Sequence, residues 1–542
     1  MEYRLFFPEG WPFSAGATGF IVILALYAAV YLLSSRKVDP REPPIIASTI
    51  PLIGHPLGMA LLGGKYVKKL GLRNRNLPIF TLPVPNSRIY IVTEPSLAAA
   101  VQRASKTLSF TPIVPEVTER VLGLDKTTIE ITRKNLDPGP GDERGFLADI
   151  QDMVYAWLGP GNYLTEITLD ATQELEKEIA ACVVSQNTNA DSNKPTDLLA
   201  WVRHLVTVST AKYLYGPENP IALHPELEDA FWDFDHGLGA LLMNILPSIT
   251  ASKAYKGREK LSKALVDYLE AGKHKMGSKV IQKRVELALE HGWTLRMAAR
   301  SELSFLFAGI VNATTSTFWI LLQIFADPEL LATVRGEIEA VLEPKHEAPD
   351  QKVEPTFRLS IHNLRDRCPM LVAVYRECLR LGSDTYSTRV VKENTLLADR
   401  YFLKKNAVVQ IAGGVIHADK SIWGDDVETF NPRRFLDKQR QPAGPGGGKP
   451  TPIHPAAFRA FGGGKTLCPG RHFAMNEILS FVALVVLQFD MKAPDGGRIE
   501  VPRKNDGVLP VHILEPEHPV QVVISKRADG LATGAVDIDF VM

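Results

Sequence analysis

The run Phe461-Gly-Gly-Gly-Lys-Thr-Leu-Cys-Pro-Gly470 decides how the rest of the chain is read. Its spacing, F-x-x-G-x-x-x-C-x-G, suits a cysteine that must stay ionised as a metal ligand. Backbone N–H groups at the start of a helix stabilise an anion placed there. Cys468 is expected at a helix N-cap, with Pro469 at the first helical position, where a missing N–H costs nothing. The segment Arg471 to Phe489 then carries a helical apolar pattern through Phe473, Ile478, Phe481, Leu484 and Val485. Gly464 and Gly470 let the backbone approach a flat ligand closely, and Phe461 is placed to shield the sulfur from water. A glycine-rich turn before a helix with one buried cysteine would read the same way locally, so the surrounding motifs decide.

Three of those motifs lie upstream, in a fixed order. Glu377-Cys-Leu-Arg380 puts an acid and a base at i and i+3 of one helix, where they can pair. His417-Ala-Asp-Lys-Ser-Ile-Trp423 comes next, and Phe430-Asn-Pro-Arg-Arg-Phe435 then supplies Arg434 as a third member of the ion pair. A solvated helix face explains any one of these charges; it does not explain the ordered set. The order E-x-x-R, H-x-D-x-x-x-W, F-x-P-x-R-F and then the cysteine loop resembles the cytochrome P450 family, and the resemblance runs over nearly the whole chain.

That resemblance implies a mainly α fold with a small β-rich lobe. Haem b would lie between a long central helix, Leu295 to Ala326, and the helix after the cysteine loop. Cys468 would be the axial ligand of the haem iron, with Phe461, Gly464, Gly470 and Ala474 around the macrocycle. Arg389 matches a position whose guanidinium commonly meets a haem propionate, a fork suited to carboxylate. Thr466 stands where the family usually has a basic residue, and Lys465 would substitute in part. The early W-x-x-x-R of the family is missing, since Trp157 is followed at i+4 by Gly161. Glu377, Arg380 and Arg434 would form a structural network that pins the cysteine loop.

The clearest departure lies on the central helix. Counting back from Asp327-Pro328, the oxygen-pocket motif falls on Ala308-Gly309-Ile310-Val311-Asn312, where the family's usual acid and threonine are replaced by Val311 and Asn312. Valine cannot relay a proton, and Asn312 donates and accepts hydrogen bonds without titrating. A shifted register would use Thr314 instead. An Asn at this place, a non-basic Thr466 and Phe318-Trp319 are similar to the branch holding cholesterol 7α-hydroxylase and prostacyclin synthase. That branch includes both a sterol hydroxylase and an isomerase of a peroxide. By the same resemblance Ile113, Val114, Phe307, Val311, Thr385, Tyr386 and Leu509 would line an apolar substrate pocket.

Composition is that of an ordinary globular protein, with 45% hydrophobic and 23% charged residues in 542. The 61 basic and 61 acidic residues cancel, which argues against nucleic acid as a partner. Four widely spaced cysteines make neither a disulfide framework nor a zinc spacing. Ala15 to Leu33 is an uncharged apolar stretch of nearly membrane length, followed by Arg36 and Lys37. A cleaved signal peptide would want a basic leader and a shorter apolar core, and Arg4 is the one basic residue before it. The expected organisation is a lumenal N-terminus (1–14), a transmembrane anchor (15–35), a Pro-rich hinge (36–50), a cytosolic catalytic domain (51–530) and a flexible tail (531–542). Two polar, Pro-rich stretches, Glu343 to Thr356 and Arg440 to Pro455, read as surface loops. The expected function is a monooxygenase of the endoplasmic reticulum membrane. It would oxidise a hydrophobic terpenoid, sterol or fatty-acid-derived molecule drawn from membrane lipid, with electrons from NADPH through a reductase. A reductase-independent isomerase and a non-catalytic haem or lipid carrier are the alternatives.

Overall fold

A 32-residue helix, Leu295–Ala326, forms the axis of the molecule. The computed structural model describes residues 15–34, 36–188, 194–344, 356–436, 453–527 and 537–542. Thr294 caps the start of the axis by accepting the N–H of Met297 at 3.3 Å. At its end Asp327 turns the chain out, and its carboxylate caps the next helix, Pro328–Glu339. Ile310, Val311, Phe318 and Ile320 are fully buried around the axis, so this helix is apolar on every side because it is enclosed. It is long and apolar enough to cross a membrane, yet most of it lies inside the protein. The helices Leu198–Tyr215, Ser252–Glu270, Pro369–Gly382 and Arg471–Gln488 pack directly on it.

A five-stranded sheet forms the β-rich lobe, in the order Ile79–Val84, Ser87–Val92, Val408–Ala412, Tyr386–Val391 and Leu108–Ser109. Its register sets Val409 opposite Arg389. Ser387 and Arg389 therefore share one face of their strand by the period of two, and that face meets the cysteine loop. The Pro-rich segment does not hang free. Thr81 donates its N–H to Pro44 and its hydroxyl to Pro43, at 2.8 and 3.0 Å, while buried Glu42 takes Arg88 and Tyr90.

Several sequence expectations shift at the edges of elements. The pattern Ile361 to Leu381 is two helices, because Pro369 lacks the N–H that would continue the first. Leu223 to Leu242 likewise divides at Gly237, where a Cβ would strike Ala254. Most of the expected loops Glu343 to Thr356 and Arg440 to Pro455, and the lumenal residues 1–14, lie outside the described residues. The tail expected to be flexible is corrected: Asp537–Val541 pairs in parallel with Thr356–Ser360, and Phe540 is buried. The N-terminal helix spans Ala15–Ser34 and exposes Phe20, Ile23, Leu24, Leu26, Leu32 and Leu33.

Candidate active site

The cysteine loop is built from its own backbone. The Cys468 N–H donates to Phe461 O at 2.9 Å and the Gly462 N–H to Arg459 O at 3.0 Å, closing the loop twice. Gly462 and Gly464 take φ of +74° and +62°, where a side chain would be strained, and a Cβ on Gly464 would also press on Gln102. The helix begins at Arg471 with Gly470 as its N-cap, so Cys468 lies two residues ahead of the cap and not at the capping position expected of it. The helix end still reaches the sulfur, because the Gly470 N–H is directed at it. Burial raises the Cys468 thiol above its ordinary value, opposed by that N–H and by the Arg471 charge.

Behind the loop lies a saturated ionic network. Arg380 grips both oxygens of Glu377 at 2.8 Å, and Arg434 adds its Nε to the same carboxylate at 2.9 Å. All three side chains are buried, which makes the pairing obligatory once formed. Their remaining donors end on the His417 carbonyl for Arg380, and on the Trp423 and Asp426 carbonyls and the Asp426 carboxylate for Arg434. His417 carries the connection forward. Its Nε2 accepts the Arg459 N–H at 2.9 Å, so Nδ1 holds the proton and donates to Ser383 O. Burial keeps this imidazole neutral, with its pKa pulled down to about 3. The route Glu377, Arg380, His417, Arg459 thus joins the expected network to the first residue of the loop's own hydrogen bonds.

In front of the sulfur opens a cavity of about 700 Å³. Cys468, Phe461, Gly470 and Ala474 line one side of it, and Ala308, Gly309 and Asn312 the other. Val114, Thr385, Tyr386 and Arg389 also line it, as expected, while Val511 and Ile513 complete a wall that the sequence did not reveal. Seven expected residues do not line it. Val311 and Thr314 are turned into the core by the 100° step of the helix, and Phe307 instead packs against the Phe234 and His512 rings. Ile113 ends a short 3₁₀ turn just beside the cavity, and Leu509 is exposed. Lys465 is exposed as well and offers only its backbone carbonyl inward, to Gln151 and Tyr155, which removes it as a substitute propionate partner. Gly464 acts through the loop rather than as a wall.

Asn312 is oriented by a distant segment. Its Oδ1 accepts the Ile513 N–H at 3.0 Å, and a backbone N–H can meet only the carboxamide oxygen. Its amide NH₂ is therefore the group left for the cavity. Glu477 and Tyr213, also unforeseen, line the far end, with the Tyr213 hydroxyl 3.4 Å from the carboxyl. A signal for Glu477 existed, since it stands at i+3 from Ala474 on the same helix face.

Two buried guanidiniums test whether haem suits this cavity. Arg389 and Arg459 are 4% and 2% exposed, and neither meets a carboxylate among the described residues. Arg389 donates to Thr466 Oγ1 at 2.5 Å and Arg459 to Ser387 Oγ at 2.9 Å, neutral partners for charged groups. Burial lowers both pKa values, and the Arg389 charge helps to bring Arg459 down to about 10. Two unpaired cations beside a flat slot that ends on a cysteine fit a macrocycle bearing two carboxylates. Arg459 gave no signal in the sequence because its counter-charge is not part of the chain.

Comparison with known proteins agrees with this geometry. Residues 177–522 match the family model described as Cytochrome P450. The chain is 32% identical over 514 residues to cytochrome P450 monooxygenase nodJ of Hypoxylon pulicicidum, covering 94% of this chain and 95% of that protein. It is 28% identical over 483 residues to a cytochrome P450 monooxygenase of Gibberella zeae, covering 87% and 86%. Cytochrome P450 7B1 of Mus musculus is 26% identical over 490 residues, covering 87% and 88%.

Proposed function

The chain belongs to the cytochrome P450 family and is a monooxygenase of that family, and from that premise we propose that Cys468 ligates the iron of haem b in a membrane-anchored enzyme acting on a hydrophobic small molecule. The observation that carries the assignment is the pair Arg389 and Arg459, buried without counter-ions beside the cavity that Cys468 lines. Arg389, Arg459 and Thr466 would hold the propionates, Phe461 and Ala474 the ring, and Cys468 the iron. Haem bound there supplies dioxygen activation. The protein's own part is to hold the sulfur still, keep water from it with Phe461, and orient an amide donor, Asn312, from the opposite wall.

The same reading gives the substrate a character. Ala308, Val511 and Ile513 offer an apolar wall, so a terpenoid, sterol or fatty-acid-derived molecule suits it better than a charged one. The N-terminal helix exposes apolar side chains along its length, which suits a bilayer and supports a single-pass anchor in the endoplasmic reticulum membrane. Electrons would then come from NADPH through a reductase on the same membrane.

The test is spectroscopic first. The reduced, carbon-monoxide-bound protein is expected to show the red-shifted Soret band of thiolate ligation, and Cys468→Ala to abolish it; an unchanged band in the variant would sink the assignment. Turnover with substrate in the absence of reductase would instead favour isomerisation of a peroxide. Strict dependence on NADPH and reductase is the expected result.

A further inference from the structure

His512 faces an acceptor with each of its ring nitrogens. Nδ1 lies 2.8 Å from the Ile513 carbonyl oxygen, and Nε2 lies 3.3 Å from Oδ1 of Asp235. A carbonyl and a carboxylate both accept, so a neutral ring, with one bare nitrogen, leaves one of these contacts repulsive. Only the imidazolium satisfies both. Asp235 needs the charge in turn: it is 2% exposed and neither of its oxygens has a well-aligned hydrogen bond.

The pair stands directly behind the cavity wall. His512 is flanked by Val511 and Ile513, which face the cavity, and its ring packs on Phe307 of the central helix at 6.4 Å. Ile513 donates the N–H that orients Asn312. We propose that His512, held as an imidazolium between Asp235 and the Ile513 carbonyl, is the positioning residue that fixes the 511–513 segment and thereby the Asn312 carboxamide. The proposal rests on the reading of Asn312 as the donor opposite Cys468.

Asp235, His236 and Glu515 offer ligand atoms close enough for a metal ion. Arg203 already supplies the positive charge there: it pairs with Glu515, and its Nη2 lies 2.9 Å from His236 Nε2. The ionisable groups facing His512 are thus Asp235 from the helix Pro225–His236 and, farther off, Glu515, which Arg203 pairs with. The Asp235 carboxylate and the Ile513 carbonyl raise the His512 pKa against the effect of burial. A proton held this way is lost as pH rises through the raised pKa, so the clamp opens on the alkaline side of the ordinary imidazole value.

The experiment uses the full-length haem protein with carbon monoxide as the probe. In Asp235→Asn the backbone amides at 511–514 are expected to exchange with deuterium roughly tenfold faster. The C–O stretch of the reduced complex should move in the direction that Asn312→Val moves it. Wild type should show the same movement as pH is raised through the titration of His512, and the variant none. His512→Gln, which keeps a donor without the charge, is expected to reproduce both changes and serves if Asp235→Asn fails to fold. Wild-type exchange and stretch in both variants would overturn the clamp. Absence of the thiolate Soret band in every form would overturn the haem reading alone, since the exchange result judges the clamp without haem.

Discussion

The two walls of the cavity are held in different ways. On the sulfur side Glu377, Arg380, Arg434, His417 and Arg459 form a continuous buried network, and two guanidiniums converge on one carboxylate. Across the cavity Asn312 is oriented by one hydrogen bond from a residue 201 positions away in sequence. Such a network has one low-energy arrangement, and removing the Glu377 carboxylate leaves buried guanidiniums short of a counter-charge. A single tether is easier to break and easier to tune. The contrast assigns rigidity to the cysteine side and adjustability to the wall that Asn312 lines.

Breaking the rigid side should cost most. Glu377→Gln leaves Arg380 and Arg434 buried against a neutral amide, a loss on the order of 3–5 kcal/mol. The expected outcome is a fall in urea midpoint large enough that little protein retains the thiolate Soret band. A variant with wild-type stability and spectrum would show that the network is redundant.

How much of this was legible in the sequence follows the same division. The cysteine loop, the E-x-x-R pair and Arg434 could be read because each is a local pattern with a fixed spacing. Ala308, Gly309 and Asn312, counted from Asp327-Pro328, were found on the cavity lining. Val311, Thr314 and Phe307 were not, because a step of one or two positions turns a helical side chain 100° or 200° away. The contact between Asn312 and Ile513 joins segments that share no local pattern. Arg459 needed a partner outside the chain, and the strand Asp537–Val541 needed knowledge of a parallel register, which no turn specifies.

One acid on the post-cysteine helix escapes the saturation around it. Glu477 is buried with the Tyr213 hydroxyl near it, and burial lifts its pKa from 4.5 to about 8. Below about pH 4.5 folded and unfolded chains are both protonated. As pH rises from there to about 8, the unfolded chain sheds the proton while the folded one keeps it, so stability falls over that window. Glu477→Gln keeps a partner for Tyr213 and removes the slope. At pH 8 the variant should be more stable than wild type by about 4 kcal/mol, with little difference at pH 4. Parallel denaturation curves at both pH values check it; a constant offset would mean that the carboxyl is already ionised.

The guanidinium pair predicts a smaller effect. Arg459→Gln keeps hydrogen bonding to Ser387 but withdraws one charge from the propionate end, so haem should dissociate roughly tenfold faster while the fold holds. Transfer of haem to an apo-globin acceptor measures the rate. An unchanged rate with Arg389→Gln impaired would assign the anion contact to Arg389 alone, and the reverse pattern would assign it to Arg459.

The weakest tether gives the smallest change and the most informative one. Asn312→Val removes both the acceptor for the Ile513 N–H and the amide donor that faces the cavity, while keeping a side chain of similar size. Val311 precedes it, Thr314 is turned into the core, and the Ser316 hydroxyl one turn on already donates to the Asn312 carbonyl at 2.6 Å. The thiolate Soret band should stay, because nothing on the sulfur side is touched. Product formed per NADPH consumed should fall a few-fold, about 1 kcal/mol of lost donor contact. Equal coupling would show that protons and oxygen are handled by water ordered on backbone groups alone, and the two walls would then differ in stability but not in chemistry.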